Sequence, residues 1–377
     1  MRDLMASLVR RILRRLRSDE RGAIAVVVAV LIGSGVLTGM GALVIDVGQL
    51  YQERAELQDG ADAAALGVAK SCALGACAPT DASQLADANA SSLTGGTMAV
   101  DLVCGSGGLG NCPPSTGKMT DCPQAPSAGT NFVEVYTSTE TASGSTLLPP
   151  VFARTLIGGY QGTDVGACAQ VEWGAPPDAT TVAIAISACE WDQATQEGTA
   201  FQPAPPYPPD TVPATSADQV LTLTTGGNPG GGCPTEPAGA EDPSTFGWAV
   251  DEGGNCSLPV SGATFPAIPP NPLESPSPAC QEVLANAQQS ETPILVPVYV
   301  SLDNAAGDPR YVLRGFADFV VTGYNMPGFD ASDWLDPANN CPGADYCLNG
   351  YFVQGVIPST GAIAGANLGA SIIELTG

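Results

Sequence analysis

The 377-residue chain carries a formal charge of −25, with 13 Lys and Arg against 38 Asp and Glu, and it has no histidine. A surface this acidic repels phosphate backbones and excludes nucleic acid as a partner. Without histidine there is no Ser-His-Asp or Cys-His nucleophile and no HExxH metalloprotease helix; paired carboxylates stay available as acid and base, but among 38 of them no pair stands out.

The charge is split along the chain. Arg2, Arg10, Arg11, Arg14, Arg15, Arg17 and Arg21 all lie in residues 1–22. Leu4, Leu8, Ile12 and Leu16 recur every four residues there, the pattern of an amphipathic helix on an anionic inner membrane face; a structureless basic tail is the alternative. Residues 23–45 follow without a single charge. As a helix they would extend ~35 Å, enough to cross a ~30 Å hydrocarbon core, and an isolated apolar run can satisfy its backbone in lipid only as a helix. Basic residues stay on the cytoplasmic side, so a transmembrane helix is predicted over residues 23–47 with the N-terminus inside and the rest outside. The apolar core exceeds the ~7–15 residues of a secretory h-region and no small-x-small site precedes Asp46, so the segment is expected to be retained. Gly35 and Gly39 form a small-xxx-small pair that would let a second helix approach, although glycine is common in membrane helices in any case.

Beyond Asp46, Leu50, Leu57, Ala61, Ala64 and Val68 recur at helical spacing, so the helix is predicted to continue to about Cys72, with Asp59-Gly60 a place for a kink or break. Here the sequence becomes specific. Glu20-Arg21-Gly22 precede the apolar run; Asp46, Gly48 and Tyr51 follow it; then come Ala55-Glu56-Leu57-Gln58 and Ala61-Asp62-Ala63-Ala64-Ala65-Leu66. Over about 50 residues this resembles the N-terminal segment of TadE/TadG-like proteins, pilus-assembly components of the tight-adherence (Flp-type) secretion system. Val165-Gly166-Ala167-Cys168-Ala169, Phe246-Gly247-Trp248, Gly315-Phe316-Ala317-Asp318-Phe319 and Gly350-Tyr351-Phe352-Val353 carry a weaker likeness to TadG-related ectodomains of high-GC Gram-positive bacteria. The resemblance implies other pilus subunits and the assembly platform as partners, a membrane location and no cofactor. Related pilins are cleaved after a glycine, with glutamate five residues into the mature chain. Gly22-Ala23 offers such a site, but the fifth residue after Gly22 is Val27, so an uncleaved membrane protein is expected.

Helical patterns are predicted at 81–93 and 149–157, and strands at 98–104, 131–139 and 165–173. Helices followed by strands predict an α+β unit over residues 48–174, a pilin-like long helix packed on an antiparallel sheet. Residues 175–377 read as a β-rich module, sandwich-like or mixed, with strands near 182–187, 220–224, 294–300, 311–322, 351–356 and 370–375. Pro297 marks its strand as an edge strand or a bulge. The run 202–213 is proline-rich, a polyproline linker or a surface loop.

All 12 cysteines follow the apolar run, an even number in an oxidising compartment, and are read as a disulfide framework. Cys72–Cys77 and Cys341–Cys347 are candidate short-range pairs, while Cys104, Cys112 and Cys122 crowd one loop region, so at least one pairs elsewhere or stays free. With neither histidine nor a Cys-x-x-Cys, zinc is not expected. Ser115–Lys118 matches Ser-x-x-Lys on paper but reads as a turn. Asp330, Asp333 and Asp336 with Asn339 and Asn340 could hold calcium, yet the spacing is not that of an EF-hand. Ser187-Ala188-Cys189-Glu190 lacks the Asp-x-Ser-x-Ser signature of metal-dependent adhesion modules. The expected function is thus structural, in pilus assembly at the cell surface. A surface adhesin for carbohydrate or matrix is the alternative, and an enzyme has no motif behind it.

Overall fold

The computed structural model describes residues 20–33, 35–90, 97–118, 120–127, 129–156, 158–207, 211–223, 246–251, 253–268, 277–303, 308–338, 346–358 and 361–377. Its helices are α1 (Glu20–Gly33), α2 (Val36–Ala73), α3 (Ala82–Asn89), α4 (Ala153–Leu156), α5 (Ala188–Thr195) and α6 (Pro278–Ser290). The longer strands are β1 (Thr97–Gly105), β2 (Asn131–Glu140), β3 (Gly166–Gly174), β4 (Ile184–Ser187), β5 (Gln219–Leu223), β6 (Phe246–Trp248), β7 (Ile294–Asp303), β8 (Arg310–Met326), β9 (Tyr346–Val353) and β10 (Ala370–Leu375).

The 38-residue helix α2 lies on the first sheet, which runs β1-β2-β3-β10 with antiparallel neighbours and a short parallel strand, Gly355–Val356, beyond β10. The contact is built from small side chains. Leu57, Ala61, Ala64, Ala65, Val68 and Ala69 fall on one helical face, and they pack with Val133, Val135, Ala167, Ala169, Val171 and Trp173 of the sheet. Polar bonds fix the register: Thr137 Oγ1 donates to the Leu57 carbonyl at 3.1 Å, Gln58 Nε2 to the Cys168 carbonyl at 3.0 Å, and Thr139 Oγ1 to Glu53 Oε1 at 3.0 Å. The expected α+β fold, a long helix on an antiparallel sheet followed by a β-rich region, is what forms.

Two sequence expectations give way to tertiary packing, and a third is decided between its two alternatives. Asp59-Gly60 neither kinks nor ends the helix. A Cβ at Gly60 would lie 2.5 Å from Met98 Cε and 3.1 Å from the Ala86 carbonyl oxygen, and one at Gly67 2.2 Å from Leu85 Cδ1, so these glycines let β1 and α3 sit close against α2. The uninterrupted helix expected over residues 23–45 is two helices instead. Gly35 takes the left-handed conformation (φ 77°), its N–H donating to the Ile32 carbonyl at 3.0 Å, and this separates α1 from α2. As a result no helix among the described residues is long and apolar enough to cross a membrane. Pro297 does not mark an edge. Its strand β7 lies between antiparallel β8 and parallel β4, and β4 engages it only at Val298 and Tyr299, where the register against β8 also shifts. The bulge follows the proline directly.

The second sheet runs β5-β9-β8-β7-β4-β6, with three short strands (Thr264–Pro266, Phe329–Ala331 and Ala366–Asn367) also paired to β8. It is mixed, β4 and β7 being parallel. Helix α5 leaves β4 under a Ser187 cap that accepts from the Glu190 N–H at 3.2 Å, and α6 begins at Ser277-Pro278 with the Ser277 hydroxyl accepting from the Cys280 N–H at 3.3 Å. The proline-rich run is packed in part rather than free as a linker: the Gln202 N–H donates to the Phe352 carbonyl at 3.1 Å, and Ala204 and Tyr207 lie against Val320, Tyr351 and Val353. The chain does not divide cleanly at 174/175, because β10 returns to the first sheet and pairs with β3.

This packing makes one half of α2 structural for the sheet and leaves the other half uncovered. Leu57→Ala should lower the stability of the folded unit by ~2–5 kcal/mol through the cavity it leaves, while Leu43→Ala, at a position 60 % exposed, should leave it unchanged. Thermal unfolding followed by circular dichroism distinguishes the two, and equal effects would contradict the division.

Candidate interaction surface on the N-terminal helix pair

Along α1 and the start of α2 the apolar side chains point outwards. Ile24, Val26, Val30, Ile32, Met40, Leu43 and Val44 are all more than half exposed, whereas Leu57 on the same helix is 2 % exposed. Scattered exposed apolar residues are ordinary, but a contiguous run of this length marks a surface that meets something apolar. A Cβ at Gly33, Gly39, Gly41 or Gly48 would meet nothing within 4 Å. Gly39 is therefore not required by packing within the described chain, and Gly35 acts through its backbone angle. Gly22 and Ala23 lie within α1, in helical backbone.

Asp46 sits where the uncovered half of the helix ends. It is 8 % exposed, and its carboxylate accepts three backbone N–H groups from the opposite side of the chain: Val151 at 2.8 Å, Phe152 at 3.0 Å and Ala153 at 2.5 Å. These are the orphan donors at the start of α4, which a carboxylate satisfies both as acceptor and as counter-charge. The bonds fix residues 149–153 beside the point where α2 emerges. Sequence reasoning missed this role; the signal was there in Pro149-Pro150, a helix start with no capping side chain of its own.

Other buried carboxyls lie in the second sheet and the turns around it. Asp333 Oδ1 accepts the Leu335 and Asp336 N–H groups at 2.8 and 3.0 Å, and its Oδ2 accepts Asn349 Nδ2 at 2.8 Å. Burial alone would raise its pKa, but hydrogen bonds from Asp218, Asp336, Asn349 and Leu335 hold it below the usual carboxylate range. Its neighbour Asp218 is pushed up to about 8 by burial and by the hydrogen bond to Asp333; its Oδ1 accepts the Thr322 hydroxyl at 2.7 Å. The acidic turn considered for calcium thus spends Asp333 on protein donors, and Asn339 and Asn340 lie outside the described residues. Asp318 on β8 is pushed up to about 7 by burial. Asp121 accepts Thr116 N and Oγ1, both at 2.7 Å, and Lys118 N at 3.1 Å, so Ser115–Lys118 is a capped turn.

The cysteines pair as Cys72–Cys77, Cys104–Cys112, Cys122–Cys168 and Cys256–Cys280. Cys122 is the one of its loop that pairs outside it. Cys347 is disulfide-bonded as well, while its candidate partner Cys341 lies outside the described residues. Two groups, Cys104, Cys112 and Glu134, and Cys122, Cys168 and Glu134, bring metal-ligating atom types within reach of one another. Their sulfurs are held in disulfides and offer no thiolate, and Glu134 receives Gln170 Nε2 and the Tyr136 hydroxyl, each at 2.9 Å.

Two measurements test this account. Asp46→Ala should release residues 149–153, with Val151, Phe152 and Ala153 amides losing hydrogen-exchange protection and stability falling by ~1–3 kcal/mol; unchanged protection would contradict the anchoring role. Asp218 and Asp318 keep protons in the folded state that the unfolded chain releases near its ordinary carboxylate pKa. The stability they contribute is complete below about pH 4 and is lost as pH rises through about 7 to 8. Melting temperature should fall between pH 5 and pH 8, and Asp218→Asn with Asp318→Asn should flatten that fall. An identical slope in the double variant would refute the assignment.

Neither a curated protein nor a solved structure matches the chain. Residues 22–71 match the family model described as Flp pilus-assembly TadE/G-like. The match begins in the first turn of α1 and ends one residue before Cys72, spanning the exposed apolar stretch and the alanine-rich face that seats the sheet. Over residues 22–71 the helix pair is thus similar to the TadE/G-like segment of Flp pilus-assembly proteins.

Proposed function

We propose that this protein is a membrane-anchored accessory component of tight-adherence pilus assembly, with its basic N-terminus in the cytoplasm and its ectodomain at the cell surface. The observation that carries the reading is the coincidence of the TadE/G-like match with a helix pair whose first half is apolar and uncovered and whose second half is the core of the ectodomain. A Cβ at Gly39 would meet nothing within 4 Å, so a neighbouring helix in the bilayer has room to pass close to this segment. The partners are other pilus subunits and the assembly platform, met through this apolar stretch. The role is structural, in keeping with a helix pair whose second half is packed into the core and with Asp333 held by protein donors. The disulfides fit an oxidising exterior.

Deleting the protein in its host should reduce pilus number or length. The full chain should sediment with membranes after alkaline carbonate washing, external protease should degrade the cysteine-bearing part, and the isolated protein should retain Met1. Normal pili in the deletion strain would remove the assembly role. An N-terminus at Ala23 would instead make the protein a processed, pilin-like subunit.

A further inference from the structure

Resting on the membrane-anchored reading, we propose that residues 149–154 form a second membrane contact, a short apolar wedge with one cation that dips into the lipid headgroup region beside the emerging helix. The wedge is Pro149-Pro150-Val151-Phe152, followed by Arg154. Val151 is 54 % and Phe152 41 % exposed. They are held there by the Asp46 carboxylate, which binds the Val151, Phe152 and Ala153 N–H groups from the helix that would leave the bilayer.

Three observations point to lipid as the occupant. The first is continuity. Asp46 directly follows the exposed Leu43, Val44 and Ile45, so the wedge is pinned at the depth where the uncovered apolar surface ends; Val47 and Tyr51, 40 % and 68 % exposed, lie on α2 within the next two turns. Aromatic and aliphatic side chains at that level are stable in the interfacial zone. The second is charge. From residue 46 onwards the chain has 35 acidic and only 6 basic side chains, and one of those six is Arg154. It is exposed, with its guanidinium donating to Gln161 Oε1 at 2.9 Å, and so faces outwards next to the wedge, where an anionic headgroup can reach it. The third is satisfaction of the backbone. The three N–H groups that a loop would otherwise expose to the headgroup zone already have their acceptor in Asp46, which removes the main cost of seating irregular backbone at a membrane.

The consequence is orientation. A single helix leaves its ectodomain free to tilt and rotate about the membrane normal, and a second contact on one side of it fixes which face of the two sheets points away from the membrane.

The test uses the full chain reconstituted in vesicles of phosphatidylcholine with phosphatidylglycerol, with a benzophenone amino acid placed in turn at Phe152, Val30 and Val212. Val212 is 56 % exposed and distant in sequence from the helix pair. Irradiation should yield lipid adducts from positions 152 and 30 and none from 212. Replacing phosphatidylglycerol with phosphatidylcholine, or Arg154 with Gln, should lower the yield at 152 several-fold and leave that at 30 unchanged. Adducts at 30 without adducts at 152 overturn the wedge and leave the anchoring intact; adducts to protein at 152 do the same. Absence of adducts at both positions overturns the anchoring and the wedge together. Because Asp46→Ala should abolish the adduct at 152 alone, a yield that survives this substitution also counts against the proposal.

Discussion

Close approach between one face of α2 and the first sheet is the constraint from which the rest of the structure follows. Alanine at 61, 64, 65 and 69 removes the bulk that would hold a helix away from a sheet, and Gly60 and Gly67 do the same for β1 and α3 on neighbouring faces. The dispersion and hydrophobic gain of such a contact depends on closeness rather than on large side chains. Thr137 and Gln58, reaching backbone carbonyls on the opposite element, then select a single register. Once α2 is fixed, the direction of the uncovered half of the same rod is fixed too, and so is the position of Asp46 against residues 151–153.

Three of the disulfides lie at the end of α2 and around the connection from β1 to β2. Cys72–Cys77 closes the turn at the end of α2, Cys104–Cys112 ties the loop leaving β1, and Cys122–Cys168 pins the loop before β2 onto β3. The residues between β1 and β2 are rich in Gly, Pro and Ser and have little apolar surface to bury, so they cannot offset their own ordering entropy. Covalent links supply what packing lacks there.

What the sequence made legible was local and periodic. The stripe from Leu57 to Val68, the alternation of Val133 and Val135, and the end of α2 near Cys72 were all readable because each depends on a spacing of a few residues. What it hid was decided by distant partners. Asp46 looked like the first charge after an apolar run, and only the fold brings it to residues 151–153, more than a hundred positions away. Gly60 read as a break because a glycine's use in close packing depends on what lies opposite, here Met98 and Ala86. Pro297 could be read only as an edge strand or a bulge, because the choice between them, a register shift at Val298 and Tyr299, is a property of the pairing with β8. The return of β10 to the first sheet is a non-local closure, and no periodicity within residues 370–375 announces it. Gly35 was noted as one of a pair of small residues; that its left-handed backbone divides the rod was not legible in the spacing.

The charge of the ectodomain bears on how many copies can work side by side. With 35 acidic and 6 basic side chains beyond residue 45, two copies brought into contact meet like charge on like charge, within the ~8 Å over which repulsion survives screening at physiological salt. Several of the few cations are committed internally. Arg314 pairs with Asp192 at 2.7 Å and stacks over Trp191, and Arg310 binds Thr264 Oγ1 at 3.1 Å. A shaft polymer needs lateral contacts between neighbouring subunits, and such contacts would here bury or juxtapose unpaired carboxylates. Residues 23–45, which carry no charge, are a stretch of the chain where this like-charge repulsion does not operate.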